Sequence, residues 1–354
     1  MAANSLLEVQ NLRKEFEQSA DVITKLKYGL MRKDVPVIKA VDDVNIDLEE
    51  NQVQGVIGES GCGKSTLLMT LIGLYDISDG NIVYDGKSLK DFTKSDWKDY
   101  RRRVQIIFQD PFNSFDPKFT VKESIEEPLQ VHDISYTENE ILDMLEQVGL
   151  NPPRKYLDRY PKNLSGGELQ RISIARALIL EPDIILADEP VSMLDVSTQA
   201  AVLNLLSDLT DKYGVSMLYI SHDLSTVSYV CDMINVMYLG RIVERAPVKT
   251  LLQEPKHPYT KELIKAIPIP NPHLNRERTN LKGVAGDPSD VPTGCRFRDR
   301  CPEAMDVCKE TPQMVDIDEN GDYIGQSDGV TGAGNGETRE VACHLYYDHE
   351  TVSN

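Results

Sequence analysis

Nine consecutive residues carry the most concentrated chemistry in this chain: Gly58-Glu59-Ser60-Gly61-Cys62-Gly63-Lys64-Ser65-Thr66. Glycines at 58, 61 and 63 let backbone N–H groups turn inward around phosphate oxygens. Lys64 is placed to reach the β- and γ-phosphates of a nucleotide, and Ser65 to ligand Mg²⁺. The loop follows Gly55-Val56-Ile57 and precedes Leu67-Leu68-Met69-Thr70-Leu71-Ile72-Gly73, so it leaves a buried strand and opens a helix. The helix N-terminus adds its positive dipole end to the site. A glycine turn that merely joins strand to helix is the plainer reading. With all fixed positions filled and both flanks apolar, phosphate binding is the expectation.

Further reactive groups stand at the ends of apolar runs. Ile184-Ile185-Leu186-Ala187 reads as a buried parallel strand and ends in Asp188-Glu189. The carboxyl end of such a strand is where α/β sheets place their sites. There Asp188 can hold hydrated Mg²⁺, and Glu189 can accept a proton from water attacking a γ-phosphate. Gln109 ends the run Val104 to Phe108. It can ligand Mg²⁺ or orient water, although a strand-terminal glutamine is also an ordinary surface residue. His222 follows Met217 to Ser221, placed to bond the γ-phosphate or the carboxylate, or to serve as a structural histidine. Leu164-Ser165-Gly166-Gly167-Glu168 opens an amphipathic run through Ile172, Ala175, Leu178 and Ile179, a second helix start able to bind an anion.

The elements that must position these groups are legible from periodicity. Residues 5–16 and 35–57 alternate apolar and polar positions (Leu7, Val9, Leu12; Val44, Ile46, Leu48), which predicts antiparallel strands. Phe16, at a strand end, can stack on a purine or simply fill the core. Residues 19–36 interleave Val22, Ile23, Leu26, Leu30 and Met31 with basic residues, a stretch suited to anionic lipid or a partner, or to a solvated hairpin. Helical segments run from Pro111 to about Pro161, with Ile141, Leu142, Leu145 and Val148 on one face, and read as an inserted helical subdomain.

With 354 residues, the chain suits about two domains. Its net charge is −19, from 57 acidic and 38 basic residues, which disfavours a phosphate backbone and excludes nucleic acid as the main partner. Such acidity also suits a protein of high-salt cytoplasm. The apolar runs are too short to span a bilayer and no charged start precedes an apolar one, so a cytoplasmic protein is expected.

In this order and spacing, GESGCGKST, Gln109, LSGGE, IILADEP, Asp195 and His222 resemble the nucleotide-binding subunit of ATP-binding-cassette (ABC) transporters over roughly residues 6–250. The resemblance implies an α/β fold. It has a P-loop (RecA-like) core sheet, an antiparallel β subdomain, an inserted α-helical subdomain at about 111–175 and a C-terminal Cys-containing extension. The domains would be 1–250 and 251–354. It implies ATP and Mg²⁺ as cofactors, with Ser65, Gln109 and Asp188 around the metal, Glu189 as general base, His222 as switch histidine and Phe16 on the adenine. Two subunits would close head to tail on two ATP molecules. Ser165, Gly166, Gly167 and Glu168 would then serve the partner's nucleotide, and Asp195 would sit at the dimer seam. Glu168 replaces a common Gln and Met193 a usual Ala; neither removes a reacting group.

His257-Pro258-Tyr259-Thr260, the segment Gly294 to Pro302 and the insert at 19–36 are similar to ATP-binding subunits of oligopeptide/dipeptide and nickel importers. That family implies two transmembrane permease subunits, a second related ATPase in a heterodimer, and an extracytoplasmic substrate-binding protein. The chain would be peripheral, at the cytoplasmic face of the membrane. A soluble cassette ATPase acting on DNA, chromosomes or ribosomes is the competing reading. Against it stand the single cassette, the negative charge and only about a hundred residues between loop and signature. A redox-sensing regulator is a third reading, against which the intact Glu189 and His222 argue.

Cys295, Cys301, Cys308 and Cys343 are separated by five, six and 34 residues. Four thiolates can hold Zn²⁺ or an iron–sulfur cluster, and the close Cys pair usual in structural zinc sites is missing. Four free thiols are the plain alternative. The family resemblance favours a [4Fe–4S] cluster over Zn²⁺. Residues 316–340, rich in Gly and Asp, are expected to be a flexible acidic loop before the last cysteine.

Overall fold

The structure, a computed structural model, describes residues 5–17, 37–266, 286, 288, 291–318, 320–327 and 339–347. The basic stretch at 19–36 lies outside the described residues. The chain divides into two compact units: Met1–Asp47, Val56–Lys90 and Met233–Asn354 form the first, Leu48–Gly55 and Asp91–Asp232 the second.

In the first unit, β1 (Ser5–Glu17), β2 (Val37–Glu49), β4 (Asp79–Tyr84) and β5 (Lys87–Ser88) form a sheet in the order β2-β1-β4-β5. β1 and β4 are antiparallel, with Leu7 opposite Tyr84 and Val9 opposite Ile82. The register shifts between Gln10 and Arg13, where Asn11 takes φ 47°. This bulge explains the spacing of Leu7, Val9 and Leu12: the extra residue returns Leu12 to the buried face. Between β3 (Val53–Ile57), buried throughout, and the helix α1 (Lys64–Leu71) runs the glycine loop.

Also in this unit, β9 (Met233–Tyr238) turns at Leu239 and Gly240, with φ 43° and 84°, into β10 (Arg241–Pro247). Positive φ at both turn residues matches the twist of a tight hairpin. Helices α9 (Val248–Gln253) and α10 (Pro258–Lys265) follow. Then β11 (Val315–Ile317), β12 (Tyr323–Gln326) and β13 (Arg339–Val341) add antiparallel strands in the order β12-β11-β13-β10. The expectation of a flexible loop over 316–340 is therefore corrected for its described residues. Val315, Ile317 and Val341 lose their surface to a small core with Cys343 and Tyr347, and that burial holds the strands together.

The second unit is built on parallel strands. β6 (Val104–Ile107) pairs with β7 (Ile184–Asp188), and β7 with β8 (Ser216–Ser221). Its helices are α2 (Lys94–Arg103), α3 (Val121–Val131), α4 (Glu138–Gln147), α5 (Arg154–Leu157), α6 (Gly166–Leu178), α7 (Val196–Tyr213) and α8 (Leu224–Val230). Thr93, Thr120, Thr137 and Ser165 each cap a helix reciprocally with an acidic residue three positions on. The expected apolar face of α4 is buried, Ile141 and Leu145 completely. Among the described residues no helix is long and apolar enough to cross a membrane.

Candidate active site

In the first unit the glycine loop is tightly seated. A side chain at Gly58 would place its Cβ 2.1 Å from the Met237 carbonyl oxygen, and one at Gly63 would lie 2.0 Å from that of Ala40. Gly63 also takes φ 111°, which favours glycine, so both positions follow from backbone approach. Gly240 N donates to the Cys62 carbonyl (2.7 Å), tying the loop to the β9–β10 turn. Lys64 is buried, and its Nζ donates to the carbonyls of Gly58 (2.8 Å) and Glu59 (3.0 Å). The ammonium is thus held inside the loop, beside the amino end of α1, where an anion would be received. Cys62 Sγ lies 3.6 Å from Lys64 Nζ, and burial pushes its thiol pKa up. Ser60 and Gly61 are on the outer part of the loop, and Ser65 and Thr66 open α1.

Parallel register assembles the second unit's groups. Ile107 lies opposite Ala187, so Gln109 and Glu189, each two residues further, come together. Gln109 Nε2 donates to Glu189 Oε2 (3.0 Å) and also to Ser192 Oγ (3.3 Å). Asp188 lies opposite Ile220 on the other side, which brings up His222; its Nδ1 is 2.9 Å from the same Glu189 oxygen. Glu189 takes φ 44° while its N–H donates to the Ile220 carbonyl (2.9 Å). A non-glycine residue in the left-handed region is uncommon and costly, and here it turns the carboxylate to meet both partners. Asp188 is buried at the strand end. Two groups read separately from the sequence, Gln109 and His222, thus meet on the Glu189 carboxylate.

Ser165 N-caps α6 in a capping box: its hydroxyl accepts from Glu168 N, while Glu168 Oε2 accepts from Ser165 N (2.8 Å). That N–H first, and then the hydroxyls of Ser165 and Tyr156, hold the Glu168 carboxyl below its usual pKa. Glu168 thus fills the third position of the capping box. Gly167 has no room for a side chain, since a Cβ would sit 2.5 Å from the Thr198 methyl. Asp195 N-caps α7, accepting from Ser197 Oγ (2.5 Å), Thr198 Oγ1 (2.7 Å) and Thr198 N (3.1 Å); these bonds lower its pKa to about 2. Back in the first unit, Phe16 meets Tyr75 edge-on at 5.3 Å, with Lys14 Nζ 4.9 Å from its ring centre.

The C-terminal cysteines form no disulfides; Cys295, Cys308 and Cys343 are buried and Cys301 is half-buried. Cys295 N donates to the Cys308 carbonyl (2.9 Å), and the charge of each of the other three acts on Cys343. Burial first, then neighbouring thiols, pushes the Cys295 thiol up, that of Cys301 to about 11 and that of Cys343 to about 12. The donors suit a soft metal. Among the described residues, however, no group of three or more His, Cys, Asp or Glu is arranged to hold a metal ion.

A buried loop lysine at a helix start and a strand-end glutamate bonded to glutamine and histidine are the parts of a P-loop nucleotide hydrolase. The family model for the ABC transporter matches residues 41–192, and that for the oligopeptide/dipeptide transporter C-terminal region matches residues 243–308. A putative oligopeptide transport ATP-binding protein of Bacillus subtilis (strain 168) is 43% identical over 353 residues, 98% of this chain and 97% of that one. An oligopeptide transport ATP-binding protein of the same organism is 39% identical, covering 98% and 99%. A solved dimeric ATP-binding cassette in a post-hydrolysis state, bound to ADP and Pi, superposes with TM-score 0.58 at 26% identity, covering 68% of this chain and 98% of that one. The chain belongs to the ABC transporter family, among the ATP-binding proteins with the oligopeptide/dipeptide C-terminal region, and is an ABC-type ATPase.

Tyr259, Arg300 and Ser192 touch the site residues and were not legible as such. Tyr259 and Arg300 lie some 200 or more residues from the loop they contact, so no local pattern marks them.

Proposed function

We propose that this chain hydrolyses ATP to energise import of oligopeptides, dipeptides or related solutes through an ABC permease. The observation that carries the reading is the convergence of Gln109 and His222 on Glu189, joined to the C-terminal match over residues 243–308. In this reading Phe16 stacks on the adenine, and the loop from Gly58 to Thr66 holds the phosphates through its N–H groups and Lys64. Ser65, Gln109 and Asp188 would hold Mg²⁺, which would supply positive charge to the phosphates. Glu189 takes the proton of the attacking water. Its bonds to Gln109 and His222 hold one oxygen, leaving the other for that water. Ser165, Gly166, Gly167 and Glu168 serve the nucleotide of a second ATPase subunit, with Asp195 at the seam.

The partners in this reading are two permease subunits, a second, non-identical ATPase and an extracytoplasmic binding protein, with this chain peripheral at the cytoplasmic face. A [4Fe–4S] site on Cys295, Cys301, Cys308 and Cys343, with Zn²⁺ as the alternative, rests in this reading on the donor chemistry of four thiols alone, since among the described residues no three such groups are arranged to hold a metal ion. Iron and acid-labile sulfide assayed after anaerobic purification decide between them; a colourless, zinc-containing protein overturns the cluster. For the hydrolysis, Glu189→Gln is expected to retain MgATP, accumulate the closed dimer and abolish both turnover and uptake of labelled peptide by the reconstituted complex. Undiminished hydrolysis, with the second ATPase's base also replaced, refutes the assignment.

A further inference from the structure

The second residue of the phosphate loop is a glutamate, an awkward choice beside a site for polyphosphate. Glu59 is held on every side. Its N–H donates to the Tyr259 hydroxyl (2.9 Å), and its carbonyl accepts from Lys64 Nζ (3.0 Å) and Cys62 N (3.2 Å). Its carboxylate accepts two bonds from Arg300, Nη1 to Oε2 at 2.8 Å and Nη2 to Oε1 at 2.9 Å. Such a bidentate pair fixes geometry as well as charge. The Arg300 side chain is 10% exposed and the Glu59 side chain 25%, so the pair is only partly screened.

Arg300 and Tyr259 are themselves locked. Arg300 Nη1 also donates to the Tyr238 hydroxyl (3.2 Å), and its guanidinium lies 5.8 Å from the Tyr238 ring and 5.9 Å from that of Phe297. Tyr238, Tyr259 and Phe297 pack on one another with centroids 4.6 to 5.5 Å apart. Tyr259 and Phe297 are almost wholly buried. Supporting groups of this rigidity are what preorganise a binding site.

We propose that Arg300 and Tyr259, from the chain beyond the cassette, are positioning residues of the phosphate loop: Tyr259 fixes the Glu59 peptide, and Arg300 cancels the Glu59 charge that would otherwise repel the nucleotide's phosphates. The proposal rests on the loop being the ATP site. It gives the C-terminal region a direct hold on nucleotide affinity.

The test measures the Kd for MgATP and the KM and kcat of hydrolysis on the full-length chain in its complex, with melting temperature beside each. Arg300→Gln is expected to raise Kd and KM about tenfold, the order expected of one uncompensated charge near an anion at intermediate screening. The rise shrinks at high salt, and kcat changes little. Glu59→Gln combined with Arg300→Gln restores the affinity, which a purely structural clamp would not do. Tyr259→Phe raises Kd without that salt dependence. Unchanged Kd in Arg300→Gln, or a folded double variant as weak as the single, overturns the proposal. Failure of the wild type to bind MgATP overturns instead the reading of the loop, and the proposal with it.

Discussion

Arg245 and Glu340 form an ion pair with both side chains 4% exposed, Nη1 lying 3.1 and 3.2 Å from the two carboxylate oxygens. They stand opposite one another in the β10–β13 register, two residues before Ala342, whose N–H donates to the Val243 carbonyl (2.9 Å). Replacing Arg245 by Met leaves a buried carboxylate without its cation, at a cost of about 3–5 kcal/mol. Glu340→Met should cost less, because Arg245 keeps Asn235 (2.7 Å) and the Asn45 carbonyl. Removing both charges with Met at both positions should return to within about 1–2 kcal/mol of the wild type, since the desolvation penalty goes with the attraction. At about 1.4 kcal/mol per tenfold, Arg245→Met raises the open population of β13 by about two to four orders of magnitude. Native-state hydrogen exchange of the Ala342 amide reads this directly. Exchange in Arg245→Met within threefold of wild type, or a double variant as fast as the single, would refute the reasoning. The strand carries Cys343 into the thiol cluster, so the same variants test how that residue is delivered.

Gly58→Ala should reduce MgATP affinity by more than about a hundredfold, since a Cβ 2.1 Å from backbone oxygen forces the loop to move; equilibrium binding checks this. Burial lowers the His257 pKa from 6.5 to about 3, while its Nδ1 accepts from Tyr259 N (3.0 Å) to cap α10. The unfolded chain therefore takes up this proton first. The stability present above pH 6.5 is lost as pH falls toward about 3, at up to about 1.4 kcal/mol per pH unit. His257→Asn keeps a capping side chain without the charge, so denaturation midpoints of variant and wild type should converge on acidification. Glu168→Gln should leave thermal stability within about 0.5 kcal/mol, because an amide oxygen can still accept from Ser165 N, whereas Ser165→Ala should cost about 1 kcal/mol. Thermal denaturation compares the two.

Much of the site could be read from the chain because its chemistry is local. The capping box of Ser165 and Glu168 and the apolar run before Asp188 are each complete within a few residues, whereas the close approaches at Gly58 and Gly63 come from Met237 and Ala40 and belong to the tertiary structure. Gln109 and His222 were identifiable as strand-end residues, and for each taken alone a surface or structural role was the plainer reading. Only the parallel register of β6, β7 and β8 brings both onto one oxygen of Glu189. The bulge at Asn11 is not legible in the sequence, where Leu7, Val9 and Leu12 read as a plain alternation.

The C-terminal region divides the same way. Composition alone made residues 316–340 look like a loop, because each strand there is three or four residues long and carries too little period to be seen. Pairing with β10 and the buried Arg245–Glu340 contact build sheet from its described residues. Likewise the sequence by itself determined that a glycine-rich loop carrying Lys64 leaves a buried strand and opens a helix. That Glu59 is braced by Tyr259 and Arg300 was decided by tertiary structure, because a hydrogen bond between residues some 200 apart leaves no trace in either local pattern.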